Sequence, residues 1–203
     1  MGAYLKAKPT LDFFLAAAGL VLLSPLFLLI ALLVKASSPG PVLFRQARVG
    51  FRERPFTILK FRTMYAGADG DKELFRHLDV ADGPVFKIPD DPRLTGIGRF
   101  LNRTFLDELP QLWNILRGEM SFVGPRPPVP EEVVYYEGWM RGRFGARPGL
   151  ASPWVVRGRH RLSFDEWMRS DVEYIGDMSL AGDLDLLFRT AVLASRALLP
   201  GSR

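Results

Sequence analysis

One long apolar run stands out from the pattern of the chain. Residues 11–34 read LDFFLAAAGLVLLSPLFLLIALLV, and beyond them hydrophobic and polar positions mix in shorter segments. As one straight helix the run is roughly 36 Å long, enough to cross a bilayer. Ser24-Pro25 falls in its middle. Proline there removes a backbone hydrogen bond and bends the helix, and the Ser24 hydroxyl is placed to satisfy a freed carbonyl. Lys6 and Lys8 precede the run and Lys35, Arg45 and Arg48 follow it, so basic residues give no preferred direction of crossing. Both ends on one side of the membrane, a re-entrant helix, is the simplest solution; a kinked spanning helix is the alternative. Asp12, early in the run, is expected near the interface. A cleaved signal peptide fits poorly, because the run is long and Ala36-Ser37-Ser38 is a weak cleavage site.

Ser37-Ser38-Pro39-Gly40-Pro41 ends this segment. It divides the chain into an anchor, residues 1–38, and one catalytic domain, residues 39–203, without repeats or low-complexity tracts. Residues 42–48 and 55–64 read as extended segments around a turn at Gly50. The second places Phe56, Ile58, Lys60 and Arg62 on one alternating face. Residues 65–82 are polar, with a short helix expected near Lys72–Leu78. Residues 97–102 lead helically toward a carboxylate pair, Asp107-Glu108. After the pair, Leu109, Leu112, Trp113 and Leu116 give an apolar helical face that stops at Gly118. Thr104 and Asp107 are acceptable N-caps and Pro110 suits a first turn. The helix dipole there favours both carboxylates in ionised form. Residues 130–144 read as a helix carrying Tyr135, Tyr136, Trp139 and Phe144, with Arg141, Arg143 and Arg147 making it basic. Ser163 and Glu166 form a capping box for a helix to Tyr174, and residues 184–199 form a last apolar helix ending near Pro200-Gly201. The fold class expected is α/β, mostly α with short strands: a membrane helix, a small catalytic domain and amphipathic surface helices.

Composition narrows the chemistry. The net charge is +5 with a pI of about 9.7, which suits an anionic membrane face, phosphorylated substrates or nucleic acid. No nucleic-acid-binding signature is present, so nucleic acid ranks last. The chain has no Cys, which excludes disulfides, thiol catalysis and Cys-based zinc sites. Its two His, His77 and His160, lack metal-ligand spacing. Asp107 and Glu108 alone are better explained by capping than by catalysis, since acids are common in first helical turns. Two features shift the balance: Arg103 just upstream, and Arg126 held in the rigid turn Gly124-Pro125-Arg126-Pro127, where flanking prolines suit an anchor for phosphate or carboxylate. Asp90-Asp91 could bind metal, but in a turn they read first as turn-forming acids.

The stretch LDELPQLWNILRGEMSFVGPRP, residues 106–127, resembles the signature of the monotopic phosphoglycosyl transferases, bacterial sugar transferases that start glycan assembly on a polyprenyl phosphate. FRQARVG and FTILKFRTM, the DPRLT element after Asp90, RPGL at 147–150, DVEYI at 171–175 and the last helix match as well, so the likeness covers nearly the whole chain. The resemblance implies a re-entrant helix broken at Ser24-Pro25 and an Asp107-Glu108 dyad with Mg2+, held in part by Asp107. It implies a nucleoside diphosphate sugar donor, a UDP-sugar foremost, and a polyprenyl (undecaprenyl) phosphate acceptor. It also implies a place on the cytoplasmic face of the bacterial inner membrane, in exopolysaccharide, lipopolysaccharide O-antigen, capsule or glycoprotein glycan assembly. Lys60 and Arg62 would then face the donor diphosphate, or else form a solvated basic face near lipid headgroups. Arg103 and Arg126 would bind phosphate. Asn102 stands where the family has a basic residue, so the role of Arg103 is an inferred replacement. Ala151-Ser152, Val155 and Arg157 also depart from the family, in its donor-specificity region. A membrane-tethered aspartyl phosphohydrolase and a non-catalytic membrane scaffold remain as alternatives. Sugar identity and oligomeric state stay open.

Overall fold

The computed structural model describes residues 2–158 and 162–196. His160, Arg159 and the expected helix end near Pro200-Gly201 lie outside the described residues. The structure is mixed, mostly helical with short strands. The apolar run forms two helices, α1 (Gly2–Leu22) and α2 (Ser24–Ser37), bent by 63° at the break. Helix α1 begins nine residues before the apolar run, so the Tyr4–Lys8 segment is helical too. Pro25 has no N–H for the Val21 carbonyl, and the Ser24 hydroxyl donates to that carbonyl instead at 2.8 Å. No single described helix is long and apolar enough to cross a membrane; the bent pair together passes that test.

Strands β1 (Leu43–Val49) and β2 (Pro55–Phe61) pair antiparallel, with Leu43 opposite Phe61 and Val49 opposite Pro55. The turn between them is a short 3-10 segment at Phe51–Glu53 with Arg52 and Glu53 left-handed. After polar turns and a 3-10 segment at Arg76–Leu78 comes α3 (Gly96–Thr104), N-capped by Thr95, whose hydroxyl accepts from the Gly98 amide at 2.9 Å. Helix α4 (Gln111–Leu116) follows, then β3 (Ser121–Val123), which pairs in parallel with β4 (Gly149–Ala151). Between these strands the single helix expected over 130–144 is absent. Only α5 (Pro130–Val133) and a 3-10 segment, Gly138–Gly145, form. Three glycines in that segment disfavour a regular α-helix. The chain closes with α6 (Pro153–Val156), α7 (Phe164–Gly176) and α8 (Leu180–Arg196). The capping box at Ser163 and Glu166 is present at the start of α7.

Three apolar clusters hold these elements. Val85, Tyr136, Met140, Phe144, Trp154, Trp167 and Met168 join the 3-10 segment to α6 and α7. Ala16 of α1 packs with Ile58 of β2 and with Leu112 and Ile115 of α4. Ile30 and Val34 of α2 pack with Phe61 and Leu101. Both halves of the N-terminal pair therefore belong to clusters shared with the rest of the chain. Their outer sides leave Phe14, Val21, Leu22, Leu28 and Leu32 exposed, and α8 adds Leu184 and Phe188.

Candidate active site

The carboxylate pair sits on a 3-10 turn, Leu106–Glu108, between α3 and α4, not in the first turn of a helix. Thr104 is the last residue of α3, its hydroxyl donating to the Phe100 carbonyl at 2.9 Å, and is not an N-cap; α4 likewise has no side-chain cap. Phe105 ends α3 in the left-handed conformation, with φ 60° and ψ 11°. A bulky residue there is strained by about 1–3 kcal/mol. The reversal turns the chain out of the axis of α3 and brings Phe105, Asp107 and Glu108 to the wall of a cleft. Gly118, at φ 73°, is the stop expected after α4. Trp113 departs from the apolar face expected of it: it is half-exposed, while Leu112 and Ile115 carry the packing.

Asp107 is 4% exposed. Burial pushes its carboxyl up to about 7, opposed by the Lys60 charge and reinforced by Glu108. The expectation that the helix dipole keeps both acids ionised is therefore corrected for Asp107: it lies outside the helix, and loss of water outweighs the nearby cation. Lys60 Nζ lies 2.7 Å from Glu108 Oε1. Asn114 of α4, 1% exposed, ties that helix to the strand that carries Lys60. Its Oδ1 accepts from the Leu59 amide at 3.1 Å, and its Nδ2 donates to Thr57 O and Glu119 Oε2, each at 2.7 Å.

Arg126 faces the dyad across the cleft. Its turn is set by two glycines that pack backbone to backbone. A Cβ on Gly124 would lie 2.2 Å from the Arg147 carbonyl, and one on Gly149 would lie 2.0 Å from the Gly124 nitrogen. Only glycine permits that approach. The guanidinium lies over the rings of Trp154 and Trp167, at 5.4 and 5.5 Å, and the two rings stack on each other at 5.0 Å. Glu132 Oε2 is 3.6 Å from Arg126 Nη1, an ion contact longer than a hydrogen bond. Below it, Arg143 donates to the Arg126 carbonyl at 2.8 Å and pairs with buried Asp171 at 2.6 Å.

The cleft thus brings together Asp107, Glu108, Lys60 and Arg126, and leaves out the other two cations expected there. Arg62 lies past the end of β2 and is 6% exposed. It donates to the carbonyls of Val34 at 3.2 Å, Ser38 at 2.7 Å and Pro39, closing the C-terminal end of α2. Arg103 is exposed and does not line the cleft; its neighbour Asn102 does. Asp91 forms a two-pronged pair with Arg93 at 2.9 and 2.6 Å, which makes the DPRLT element structural, as the turn reading had it. Two cations missed from the sequence complete the wall, Arg48 and Lys87. Arg48 alternates with Gln46 on β1 and donates to the Pro127 carbonyl at 2.8 Å. Burial, and then the charge of Arg126, lower its pKa to about 10, which leaves it a cation at neutral pH. Its place on the β1 face that pairs with Phe56, Ile58 and Lys60 of β2 was a usable signal; Lys87 lies in a turn-rich stretch that offers none.

Four cations and two carboxylates line one cleft, an arrangement that suits an anionic ligand, and the Asp107 carboxylate in it is withdrawn from water. Among the described residues no three metal-ligating side chains converge, so no protein-only metal cage exists there. Magnesium is commonly held by one or two carboxylates together with phosphate oxygens and water. Asp107 and Glu108 fit that mode, and the desolvated Asp107 carboxylate gains most from a divalent charge.

The model of the family described as bacterial sugar transferase matches residues 3–196. The chain is 41% identical over 196 residues to the exopolysaccharide production protein ExoY of Rhizobium meliloti (strain 1021), covering 94% of this chain and 87% of that one. It is 44% identical over 191 residues to the UDP-glucose:undecaprenyl-phosphate glucose-1-phosphate transferase of Caulobacter vibrioides, covering 90% of this chain and 67% of that protein. It is 35% identical over 197 residues to the undecaprenyl-phosphate galactose phosphotransferase of Salmonella typhimurium, covering 93% of this chain and 40% of that protein.

Proposed function

This chain belongs to the bacterial sugar transferase family, and on that premise we propose that it moves a sugar-1-phosphate from a UDP-sugar to undecaprenyl phosphate, with Asp107 as nucleophile. The observation that carries the reading is the buried Asp107 carboxylate, set in one cleft with Arg48, Lys60, Lys87 and Arg126. A carboxylate is a competent nucleophile at phosphorus, and two successive displacements let two dissimilar substrates use one site in turn. In the first, an Asp107 oxygen bonds to the sugar-proximal phosphorus, the bond from that phosphorus to the bridging oxygen breaks, and UMP leaves. In the second, a phosphate oxygen of the lipid attacks the same phosphorus and expels the Asp107 carboxylate, giving the polyprenyl diphosphate sugar.

Each side chain has a task in this scheme. Arg126, resting over the stacked indoles of Trp154 and Trp167, meets diphosphate oxygens with a planar fork. Lys60 favours the ionised form of Asp107 and holds Glu108 beside it. Glu108 supports metal or proton handling. Magnesium, held by Asp107 and Glu108, supplies charge neutralisation at the phosphates when bound. The bent helix pair enters the membrane and returns, its exposed apolar sides meeting lipid, so that the cleft sits at the surface that presents the lipid phosphate. The cytoplasmic face is the one from which a nucleotide sugar arrives.

The test uses the full chain in lipid nanodiscs with Mg2+ and a panel of UDP-sugars. UMP release that depends on undecaprenyl phosphate is the expected result. With donor alone, release stops at about one equivalent per site and the protein gains the mass of one sugar phosphate on Asp107. Sustained release without lipid identifies a hydrolase, and no release with any donor identifies a scaffold; either result refutes the proposal.

A further inference from the structure

The first turns of α1 carry a polar residue at every fourth position: Tyr4, Lys8 and Asp12, with Ala16 continuing the same face. This face turns toward the domain. Asp183 of α8, 3% exposed, accepts hydrogen bonds from Tyr4 Oη and Lys8 Nζ, and from Tyr174 Oη of α7 at 2.8 Å. Asp12, 6% exposed, accepts from the Phe122 amide of β3 at 3.3 Å. One buried carboxylate therefore gathers donors from helices at opposite ends of the chain, 179 residues apart in the case of Tyr4.

The bend at Ser24-Pro25 does not by itself return the chain to its side of entry. At 63° the pair is a shallow V, far from a hairpin, and either arm can tilt to carry its end across. Something must hold the free arm down. Were α1 to cross, Asp183 would lose its ion partner while buried, and Lys8 and Asp12 would pass through hydrocarbon, both unfavourable.

We propose that Asp183 clasps the polar stripe of α1, Tyr4 and Lys8 above all, and so holds the N-terminal end on the face of the membrane where the catalytic cleft lies. The proline break supplies the bend and the clasp supplies the direction. This rests on the re-entrant reading above.

The chain has no cysteine, so Ala3→Cys gives a single reporter at an exposed site, with Asp90→Cys in a separate chain as the domain reference. Both are exposed to a membrane-impermeant maleimide on inside-out vesicles, whose outer face is the cytoplasmic one. With no other change, position 3 is expected to react as fully as position 90. Pro25→Ala straightens the pair; adding Asp183→Asn to it is expected to raise the unreacted fraction at position 3 by at least about threefold over Pro25→Ala alone. Lys8→Met in the Pro25→Ala background is expected to do the same while leaving α8 unaltered, which covers the case in which Asp183→Asn does not fold. Unreacted fractions equal to that of Pro25→Ala alone overturn the clasp and leave re-entry standing. An unreacted position 3 in the otherwise unaltered chain overturns re-entry itself.

Discussion

Replacing Asp107 by Asn tests the buried carboxylate without any substrate. The folded protein holds this carboxyl near 7, against 3.8 for the free side chain, because burial disfavours its charge. An acid whose folded pKa is raised binds protons more tightly when folded, so stability is highest below the unfolded value and falls as pH climbs through the folded one. The ionised carboxylate then costs the fold roughly 4 kcal/mol near pH 8.5 and less than half of that near pH 5. Asn has nearly the same shape and no charge, so its stability carries no such slope. Its amide adds an offset that is the same at every pH. The gap between Asp107→Asn and wild type should therefore widen in favour of the variant by roughly 3 kcal/mol between about pH 5 and pH 8.5. For a chain of this size that is about 6–12 °C in Tm. Thermal unfolding in nanodiscs, followed by tryptophan fluorescence with a chelator present, gives the two profiles. Asp171, which burial pushes up to about 6, titrates in both proteins and cancels. Parallel profiles, or a variant that loses ground as pH rises, would refute the claim that Asp107 is desolvated.

Lys60→Met should move the ascending limb of the donor half-reaction to higher pH, because Lys60 lowers the Asp107 pKa; an unmoved limb separates the two groups. Arg126→Lys keeps the charge but loses the planar fork and its seat over the indoles, so KM for the donor should rise about tenfold or more with the fold intact; unchanged kinetics make Arg126 a turn residue only. Asn114→Leu strands the Leu59 amide and the Thr57 carbonyl and should cost about 2–4 kcal/mol in denaturant unfolding. Arg62→Met should lower Tm with no change in donor KM, since its guanidinium serves α2 rather than the cleft; a KM effect would place it back among the substrate contacts.

What the chain discloses locally, it discloses well. The Ser163–Glu166 capping box, the antiparallel β1–β2 pair and the break at Ser24-Pro25 follow from contacts within a few residues. The dyad was legible as a motif, but its electrostatics were not. Burial of Asp107 depends on how the turn after Phe105 folds against β2 and α3, and a left-handed phenylalanine has no sequence signal. Lys60 and Arg62 share an alternating face on paper; the strand ends between them at Phe61, and the open carbonyls of α2 capture the second. Residues 130–144 carried enough aromatics for a helix, and the glycines at 138, 142 and 145 broke it. The stripe Tyr4, Lys8, Asp12 is legible by its spacing of four; its partner Asp183 is not, because only the tertiary fold brings together residues 179 positions apart.

The contact between α1 and α4 has a consequence for anyone trimming or grafting this protein. Ala16 is fully buried, and a Cβ on Gly19 would lie 3.2 Å from Leu112 Cδ1, so two small residues let the first helix rest directly on the helix that follows the dyad. Cutting away residues 1–38 would uncover Leu112, Ile115 and Ile58, an apolar face that water does not tolerate. Joining such a fragment to a foreign tether, whether a lipid chain or a borrowed transmembrane segment, would still leave the dyad without its floor. The N-terminal helix is a wall of the enzyme.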